Sequence, residues 1–171
     1  ASENSGSSDV TRLSEALTLQ QQVAQFRVAS QNVVQASSLL AAAGHGITDI
    51  SKDLDHLESI AKRAEAATTD GERASLADEF SVIRGRIDAR AKSATFNQEK
   101  LLDGSSAQLR VASENKDIKN LSIGSLTDQA LFKGAVLDIS TSAGAKAAQT
   151  MIKEAKAYAA KQRDNVKALE A

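Results

Sequence analysis

The chain has 171 residues, a formal net charge of −1, no cysteine and no proline. The lack of cysteine excludes a disulfide framework and a thiolate metal site. The near-neutral charge and the five aromatic residues argue against a nucleic-acid-binding surface, because such a surface needs excess positive charge and rings that stack on bases.

The first part of the chain predicts a very long helix. Residues 1–8 are small and polar, so we expect them to be disordered. Residues 9–67 contain no turn cluster, and their apolar residues recur at helical spacing, which predicts one long helix or two stacked helices. Gly44 and Gly46 weaken this stretch, so a bend near His45 is an alternative. Polar residues interrupt the uncharged run 28–48, so we expect no membrane-spanning segment.

An apolar seam steps through this helix by three and four residues without a break, which is typical of a left-handed coiled coil. Small alanine side chains occupy many of its positions, and they allow partner helices to approach closely. The seam comprises Phe26, Ala29, Val33, Ala36, Leu40, Ala43, Ile47, Ile50, Leu54, Leu57, Ala61 and Ala64.

A second helix is predicted over residues 70–94. Thr69 followed by Glu72 has the pattern of a capping box, which starts a helix. The loop before this helix is too short for any other connection, so the helix must fold back antiparallel on the first.

The period changes in the last part of the chain. Alternating apolar and polar residues predict a β-hairpin over residues 108–124, with a polar tip at residues 113–117. The helical period returns over residues 142–170, and Ser140, Thr141 or Ser142 supplies the N-cap.

These elements predict a mainly α fold: an elongated antiparallel bundle of a long helix, a shorter helix and a C-terminal helix, with a small β-hairpin. The bundle forms a single rod domain over residues 9–171, about 90 Å long if the first helix is continuous. We expect the seam to be held by Leu40, Ile47, Ile50, Leu54, Leu57, Ile152 and Val166.

Candidate catalytic and metal-binding groups are sparse. His56, Asp49 and Asp53 share one face of the first helix, but one imidazole and two carboxylates lack the closed geometry of a metal site, so we expect a solvated polar face. No glycine-rich phosphate loop or serine nucleophile motif is present in the sequence. We therefore expect no enzyme activity, no metal and no cofactor.

A modest basic face on the second helix consists of Arg84, Arg86, Arg90 and Lys92. Acidic residues are interleaved with these cations along the same helix, whereas a phosphate-binding surface carries charge of one sign. A solvated helix face is the favoured interpretation, and we expect no nucleic-acid partner.

Three segments, in this order, resemble bacterial flagellin: residues 50–61, residues 87–104, and residues 137–141 together with Gln162 and Arg163. The second segment is the most specific. Its signature residues are Phe96, Asn97, Leu101, Leu102, Asp103 and Gly104.

The sequence departs from the family pattern at two positions in these regions. Gln98 stands where the family usually has glycine, so the local turn can differ. Lys119 stands where the second strand of the hairpin usually has an apolar residue, which affects the first pairing of that strand.

The resemblance implies a secreted structural subunit of the bacterial flagellar filament, or of the related hook–filament junction, whose partners are other flagellin subunits. It implies that Phe96, Leu101 and Leu102 anchor the connection to the rod and that the hairpin caps it. The chain resembles the family's core without its terminal helices, so by itself it is expected to be monomeric.

A coiled-coil binding module or an adhesin-like scaffold is the alternative from another functional class. A contiguous apolar patch outside the seam would indicate a dedicated partner, whereas a uniformly polar exterior would fit weak repeated contacts. Leu17, Leu19 and Val23 are the candidates for such a patch.

Glu58 lies in the segment by which a host innate immune receptor recognises flagellins, at the position where the family has an arginine. Replacing a cation by an anion is repulsive toward an acidic partner. The resemblance therefore implies weak recognition of this chain.

Overall fold

The computed structural model describes the backbone of residues 3–108, 110–112, 118–120 and 123–170, and the side chains of these residues except 3–8, 24–35, 107–108, 112 and 119. Within these ranges the chain is mainly α-helical, which confirms the predicted fold class. The elements in order are α1 (Glu3–Ala66), α2 (Asp70–Ser93), β1 (Thr95–Phe96), β2 (Glu99–Lys100), a 3-10 turn (Ser105–Gln108), β3 (Arg110–Ala112), β4 (Ile118–Asn120), α3 (Asp128–Phe132) and α4 (Ser142–Glu170).

Helix α1 is one continuous helix of 64 residues, which corresponds to a length of about 96 Å. It begins at Glu3, so residues 3–8 are helical where the composition predicts disorder. Extending an existing helix adds one hydrogen bond per residue without a new nucleation step, and an acidic residue near the N-terminus interacts favourably with the helix dipole.

The two glycines in the middle of α1 do not interrupt it. A Cβ atom at Gly46 would lie 2.7 Å from Cδ1 of Leu102, whereas a Cβ atom at Gly44 would have nothing within 4 Å. Gly46 therefore makes room for a buried leucine from another part of the chain, and Gly44 has no comparable packing role.

Replacing the two glycines separately tests this difference. Gly44→Ala is expected to raise the free energy of unfolding by about 1 kcal/mol, because alanine is the better helix former. Gly46→Ala is expected to lower it by about 1 kcal/mol, since overpacking of about 2 kcal/mol exceeds the same propensity gain. Urea denaturation followed by circular dichroism measures both changes, and an equal gain at both positions would contradict the packing role of Gly46.

Helices α2 and α4 both pack antiparallel against the C-terminal part of α1. Early in α2, Arg73 donates to the carbonyl of Ala64 at 3.3 Å, and late in α2, Arg90 lies 3.6 Å from Asp49. The start of α4 lies at the end of α1, and Lys156 is 2.7 Å from Asp55. The antiparallel arrangement predicted from the short loop is therefore present.

The core lies along the line where these three helices meet. Alanines are frequent on both α1 and α4, and they allow the two helices to approach closely. The large side chains that are fully buried in the described residues include Ile47, Ile50, Leu54, Leu57, Ile60, Ile87, Leu101, Leu102, Ile123, Leu126, Phe132 and Ile152. Gln162 is also buried, and its Oε1 accepts a hydrogen bond of 2.8 Å from the N–H of Gly124.

The helix ends are satisfied by local side chains. Thr69 accepts a hydrogen bond from the N–H of Glu72, as the capping pattern predicts, and the Glu72 carboxylate accepts from Thr68 rather than from Thr69. At the start of α4, Thr141 accepts from the N–H of Gly144 at 3.0 Å, so Thr141 is the cap among the three candidates. Arg73 donates to two carbonyls at the C-terminal end of α1 and so caps that helix.

Two small antiparallel sheets occupy the described part between α2 and α4. Strand β3 pairs with β4 in the register Arg110 to Asn120, Val111 to Lys119 and Ala112 to Ile118, inside the predicted hairpin 108–124. The predicted tip at 113–117 lies outside the described residues. The second pair, β1 with β2, joins Thr95 to Lys100 and Phe96 to Glu99 and was not predicted.

Candidate functional site: the bundle seam and the exposed surfaces

The predicted seam residues line the contact between α1, α2 and α4. Leu40 is 3% exposed, Val166 is 1% exposed, and the other five candidates are fully buried. The earlier seam positions Phe26, Ala29 and Val33 lie outside the described side chains. Apolar contacts from the seam therefore hold α1 to its two neighbours from about residue 36 onward.

The signature segment connects α2 to the rest of the bundle. Leu101 and Leu102 are fully buried, and Phe96 is half-buried against the core. Asp103 accepts a hydrogen bond of 3.0 Å from the N–H of Ser105, and bonds from Ser105, chiefly from its hydroxyl, lower the pKa of the Asp103 carboxyl. Gly104 follows with φ +94, where a side chain would be strained.

The β1–β2 hairpin turns on Asn97 and Gln98, whose φ angles are +50° and +69°. A two-residue turn with positive φ at both positions matches the twist of the flanking strands, and it prefers Asn followed by Gly. Asn97 fits this preference and Gln98 does not. The Asn97 position is the signal that could have predicted the hairpin, but strands of two residues are too short to show an alternating pattern.

Gln98→Gly is expected to stabilise the chain by about 1 kcal/mol, because glycine adopts positive φ without the steric cost that glutamine bears. Thermal unfolding followed by circular dichroism measures the effect. Asn97→Gly is the matched control, and it should change stability less because asparagine tolerates positive φ. A loss of stability in the Gln98 variant would show that its side chain makes a contact worth more than the strain.

The cations of the predicted basic face of α2 form ion pairs with carboxylates of the same chain. Arg84 forms two hydrogen bonds of 2.8 Å to Asp128 and lies 5.2 Å from the centroid of the Phe132 ring. Lys92 lies 2.6 Å from Asp88. The Arg84 contacts join α2 to α3, whereas the Lys92 pair lies within α2, so part of this face is a structural network rather than a simply solvated surface.

Asp53 is the centre of a second ion-pair network and is only 4% exposed. Arg86 donates two hydrogen bonds to Oδ1 of Asp53, and Nε of Arg90 lies 2.9 Å from Oδ2. Nε of Arg90 and Oδ2 of Asp53 are close enough for an ion pair, but their geometry is not that of a hydrogen bond. Neither of these two atoms has a hydrogen-bond partner. The expectation of a solvated polar face is wrong for Asp53, because its position beside Leu54 faces the arginines of α2.

The predicted metal candidates do not converge. His56 lies 3.2 Å from Glu79, Asp49 pairs with Arg90, and Asp53 is enclosed by two arginines. Within the residues that the structure describes, no group of three or more acidic or histidine side chains could hold a metal ion.

Glu58 is held between two lysines and is 12% exposed at its side chain. Its carboxylate lies 2.9 Å from Nζ of Lys62 on the next turn and 3.3 Å from Nζ of Lys156 on α4. The hydrogen bond from Lys62, together with Lys156, lowers the pKa of Glu58 although partial burial opposes the shift. On α4, the pKa of Lys156 is raised, mainly by its hydrogen bond to Asp55 and to a smaller extent by its hydrogen bond to Glu58.

These shifts predict how stability depends on pH. A carboxyl whose pKa is lower in the folded chain stabilises the fold above its unfolded pKa, and this contribution is lost as pH falls through the folded pKa. We therefore expect the free energy of unfolding to fall below pH 4.5, the ordinary pKa of Glu58. Glu58→Gln should flatten this acid limb and cost about 1 kcal/mol at pH 7.

Urea titrations at a series of pH values measure this dependence. Glu154→Gln on the exposed side of α4 is the matched control. An acid limb as steep in Glu58→Gln as in the unaltered chain would contradict the role of the two lysines.

Every described side chain of α1 from residue 9 to residue 23 is exposed. We call this stretch the arm. It includes large apolar side chains that are at least half exposed. They are Val10 (69%), Leu13 (62%), Leu17 (53%), Leu19 (60%) and Val23 (50%). The patch predicted at Leu17, Leu19 and Val23 is therefore open to solvent, and no described residue covers it.

No helix in the described ranges is both long and apolar enough to cross a membrane. The exposed apolar side chains of the arm are a candidate site for contact with another protein. Among the described residues, a buried seam that joins three helices and an exposed apolar arm are features that can carry a structural function.

Comparison with known proteins identifies similar chains. The model of the family described as bacterial flagellin N-terminal helical region matches residues 3–107. The crystal structure of Bacillus cereus flagellin has the same fold with a TM-score of 0.71 and 20% sequence identity, over 81% of this chain and 81% of that chain. A comparison with curated proteins finds no match.

Proposed function

This chain belongs to the family of the bacterial flagellin N-terminal helical region, and we propose that it is a structural subunit of the bacterial flagellar filament. The family supports a flagellin-type structural role for the chain. The exposed arm is the observation that carries the finer proposal. Apolar surface of this extent on a soluble chain marks a contact site for another protein.

The arm presents its apolar side chains on two faces. Val10, Leu13 and Leu17 follow one another by three and four residues, whereas Leu19 and Val23 lie about a third of a turn away. A helix that is apolar on one stripe serves one neighbour, and a helix that is apolar on two stripes serves two. Two neighbours for one helix fit a lattice of subunits better than a module with a single dedicated partner.

The bundle supplies the stiffness that a filament subunit needs. The buried seam and the networks around Asp53, Glu58 and Asp128 tie α1 to α2 and α4 and tie α2 to α3. Ion pairs of this kind, arranged between packed helices, fix which residues face one another and so oppose sliding of the helices.

The proposal includes no catalytic role and no cofactor. Flagellins are structural and non-enzymatic, and the two acidic side chains on the α1 face considered for chemistry, Asp49 and Asp53, are paired with arginines of α2. The proposed location is the secreted flagellar filament, and the proposed partners are other copies of the same subunit.

Electron microscopy of the full-length gene product under assembly conditions tests the proposal. We expect filaments from the unaltered protein and none from Leu17→Asp, because the new charge would have to be buried between subunits. Thr18→Asp, on the polar side of the arm, is the matched control and should assemble. Both variants should melt like the unaltered protein, since both positions are exposed in the subunit.

Soluble monomer from the unaltered protein under these conditions would count heavily against the filament proposal. Binding of that monomer to the end of preformed filaments would instead favour a hook–filament junction role. The isolated chain is proposed to be monomeric at micromolar concentration, which analytical ultracentrifugation checks.

We also propose that the host receptor that recognises flagellins responds weakly to this chain. Glu58 replaces the arginine of the family, and its carboxylate is occupied by Lys62 and Lys156. A receptor-activation assay on the purified chain tests this, and activation as strong as that of a flagellin carrying the arginine would contradict it.

A further inference from the structure

A groove runs between α2 and the extended segment 137–139 and encloses about 440 Å³. Its apolar lining includes Phe80, Leu137 and Ile139, and Ser81 stands at its edge. Gly85 also lines it, and a Cβ atom at Gly85 would have nothing within 4 Å, so the groove is open at that point. The volume is within the usual range for sites that bury side chains or small molecules.

The charges of the groove leave one anion without a cation. Arg84 and Asp128 neutralise one another in the two-bond pair described above, and Asp88 is paired with Lys92. Asp138 accepts a hydrogen bond of 2.9 Å from the N–H of Ser140 but has no ion pair with any described residue. The groove therefore combines apolar and polar lining residues, and the charge of Asp138 is not paired with a cation among the described residues.

One face of the arm has the complementary chemistry. Arg12, Ala16, Leu19 and Val23 follow one another at steps of four, three and four residues, so they share one side of α1. Leu19 and Val23 are half exposed or more, and Arg12 is exposed and has no ion pair with any described residue. Ala16 between them is small enough to let another surface come close.

The dimensions agree as well. Arg12 and Leu19 are separated by about 10 Å along the helix axis. The α2 residues that line the groove, from Ala77 to Asp88, span about 16 Å. The arm face is thus short enough for its apolar end to lie in the groove while its cationic end reaches an aspartate at the edge.

We propose that the Arg12–Val23 face of the arm of one copy docks in the groove of a second copy, with Leu19 and Val23 against the apolar lining and Arg12 paired with Asp138. The inference rests on the proposed function and names one contact within the filament. The arm cannot reach the groove of its own chain, because α1 is continuous and the groove lies beside its residues 53–63, about 45 Å or more from the arm.

When the arm of one copy binds the groove of another, the resulting pair still has one free arm and one free groove. Such a heterologous contact adds copies without limit unless it closes into a ring. The same arm keeps its Val10–Leu17 stripe for another neighbour, in agreement with the two faces described above.

Engineered cysteines test the contact, because the chain has no cysteine of its own. A chain with Ala16→Cys on the docking face is mixed with a chain with Ser81→Cys at the groove, and disulfide formation is followed by gel electrophoresis. Ser14→Cys lies on the opposite side of the arm and is the matched control. We expect the Ala16 and Ser81 pair to cross-link several-fold faster than the Ser14 and Ser81 pair, and equal rates would overturn the proposal.

Charge reversal tests the ion pair within the same assay. Arg12→Asp and Asp138→Arg should each slow the cross-linking of Ala16→Cys with Ser81→Cys by roughly three-fold, and the two reversals together should restore it. Failure of the double reversal to recover any rate, with all chains melting normally, would overturn the pairing of these two charges.

The same cross-link is then measured in filaments of the full-length gene product. If filaments form without the Ala16 to Ser81 cross-link, the proposed docking contact is wrong, whereas the proposed function is supported. If the full-length protein forms no filament, the proposed function is contradicted, and this result does not depend on the cross-link.

Discussion

Ile152→Asp is expected to abolish cooperative folding of the bundle. Ile152 is fully buried in the middle of α4, where its side chain packs in the core. The substitution loses the apolar contacts of Ile152 and also places a carboxylate in the apolar core. The combined cost is about 5 kcal/mol or more, comparable to the whole stability of a small domain.

Circular dichroism during thermal unfolding measures this effect. Thr150→Asp introduces the same charge on the exposed side of the same helix and should melt within a few degrees of the unaltered chain. Leu54→Asp, fully buried on α1, should behave like Ile152→Asp, with Ser59→Asp as its exposed control. A normal melting transition in either buried variant would contradict the assignment of these residues to the seam.

Leu102→Ala is expected to lower the free energy of unfolding by about 3 kcal/mol, the typical cost of a large-to-small change at a fully buried site. Leu102 is fully buried, and its Cδ1 occupies the space that a side chain at Gly46 would otherwise fill. Its carbonyl also accepts a hydrogen bond of 2.9 Å from the N–H of Leu126, so the backbone is fixed and cannot easily close the cavity.

Urea denaturation measures this loss, and Val136→Ala is the control because Val136 is 91% exposed. The two changes at the Leu102 contact should also interact. Gly46→Ala should be tolerated better in the Leu102→Ala background, since the new methyl group then enters vacated space. Additive effects of the two substitutions would contradict their direct contact.

The helical part of the fold follows from periodicity alone. Positions such as Ile47 and Leu54 repeat every seven residues, and burial follows that repeat because only one side of α1 faces α2 and α4. The capping pattern at Thr69 likewise depends on neighbouring residues and can be recognised in the sequence. Local patterns of this kind are visible without knowledge of the fold.

Three features that depend on particular side chains arriving from distant segments were not predicted. Asp53 is polar and next to a seam position, so only the arrival of Arg86 and Arg90 from α2 decides that it is buried. Gly46 looks like a weak point of the helix until Leu102 is placed against it. The groove beside Phe80 likewise arises from a segment more than fifty residues further along the chain.

Although α1 is one continuous helix, its two parts differ in their stability against local unfolding. Its residues from about 36 onward are locked to α2 and α4, so their amide hydrogens exchange with solvent only when the whole bundle opens. The described side chains of the arm are all exposed, so the arm gains little from packing against α2 or α4, and an isolated helical stretch of this length is marginal in water. The free subunit therefore carries a segment that can unwind and rewind independently, and burial between neighbouring copies would give it the protection that the monomer does not provide.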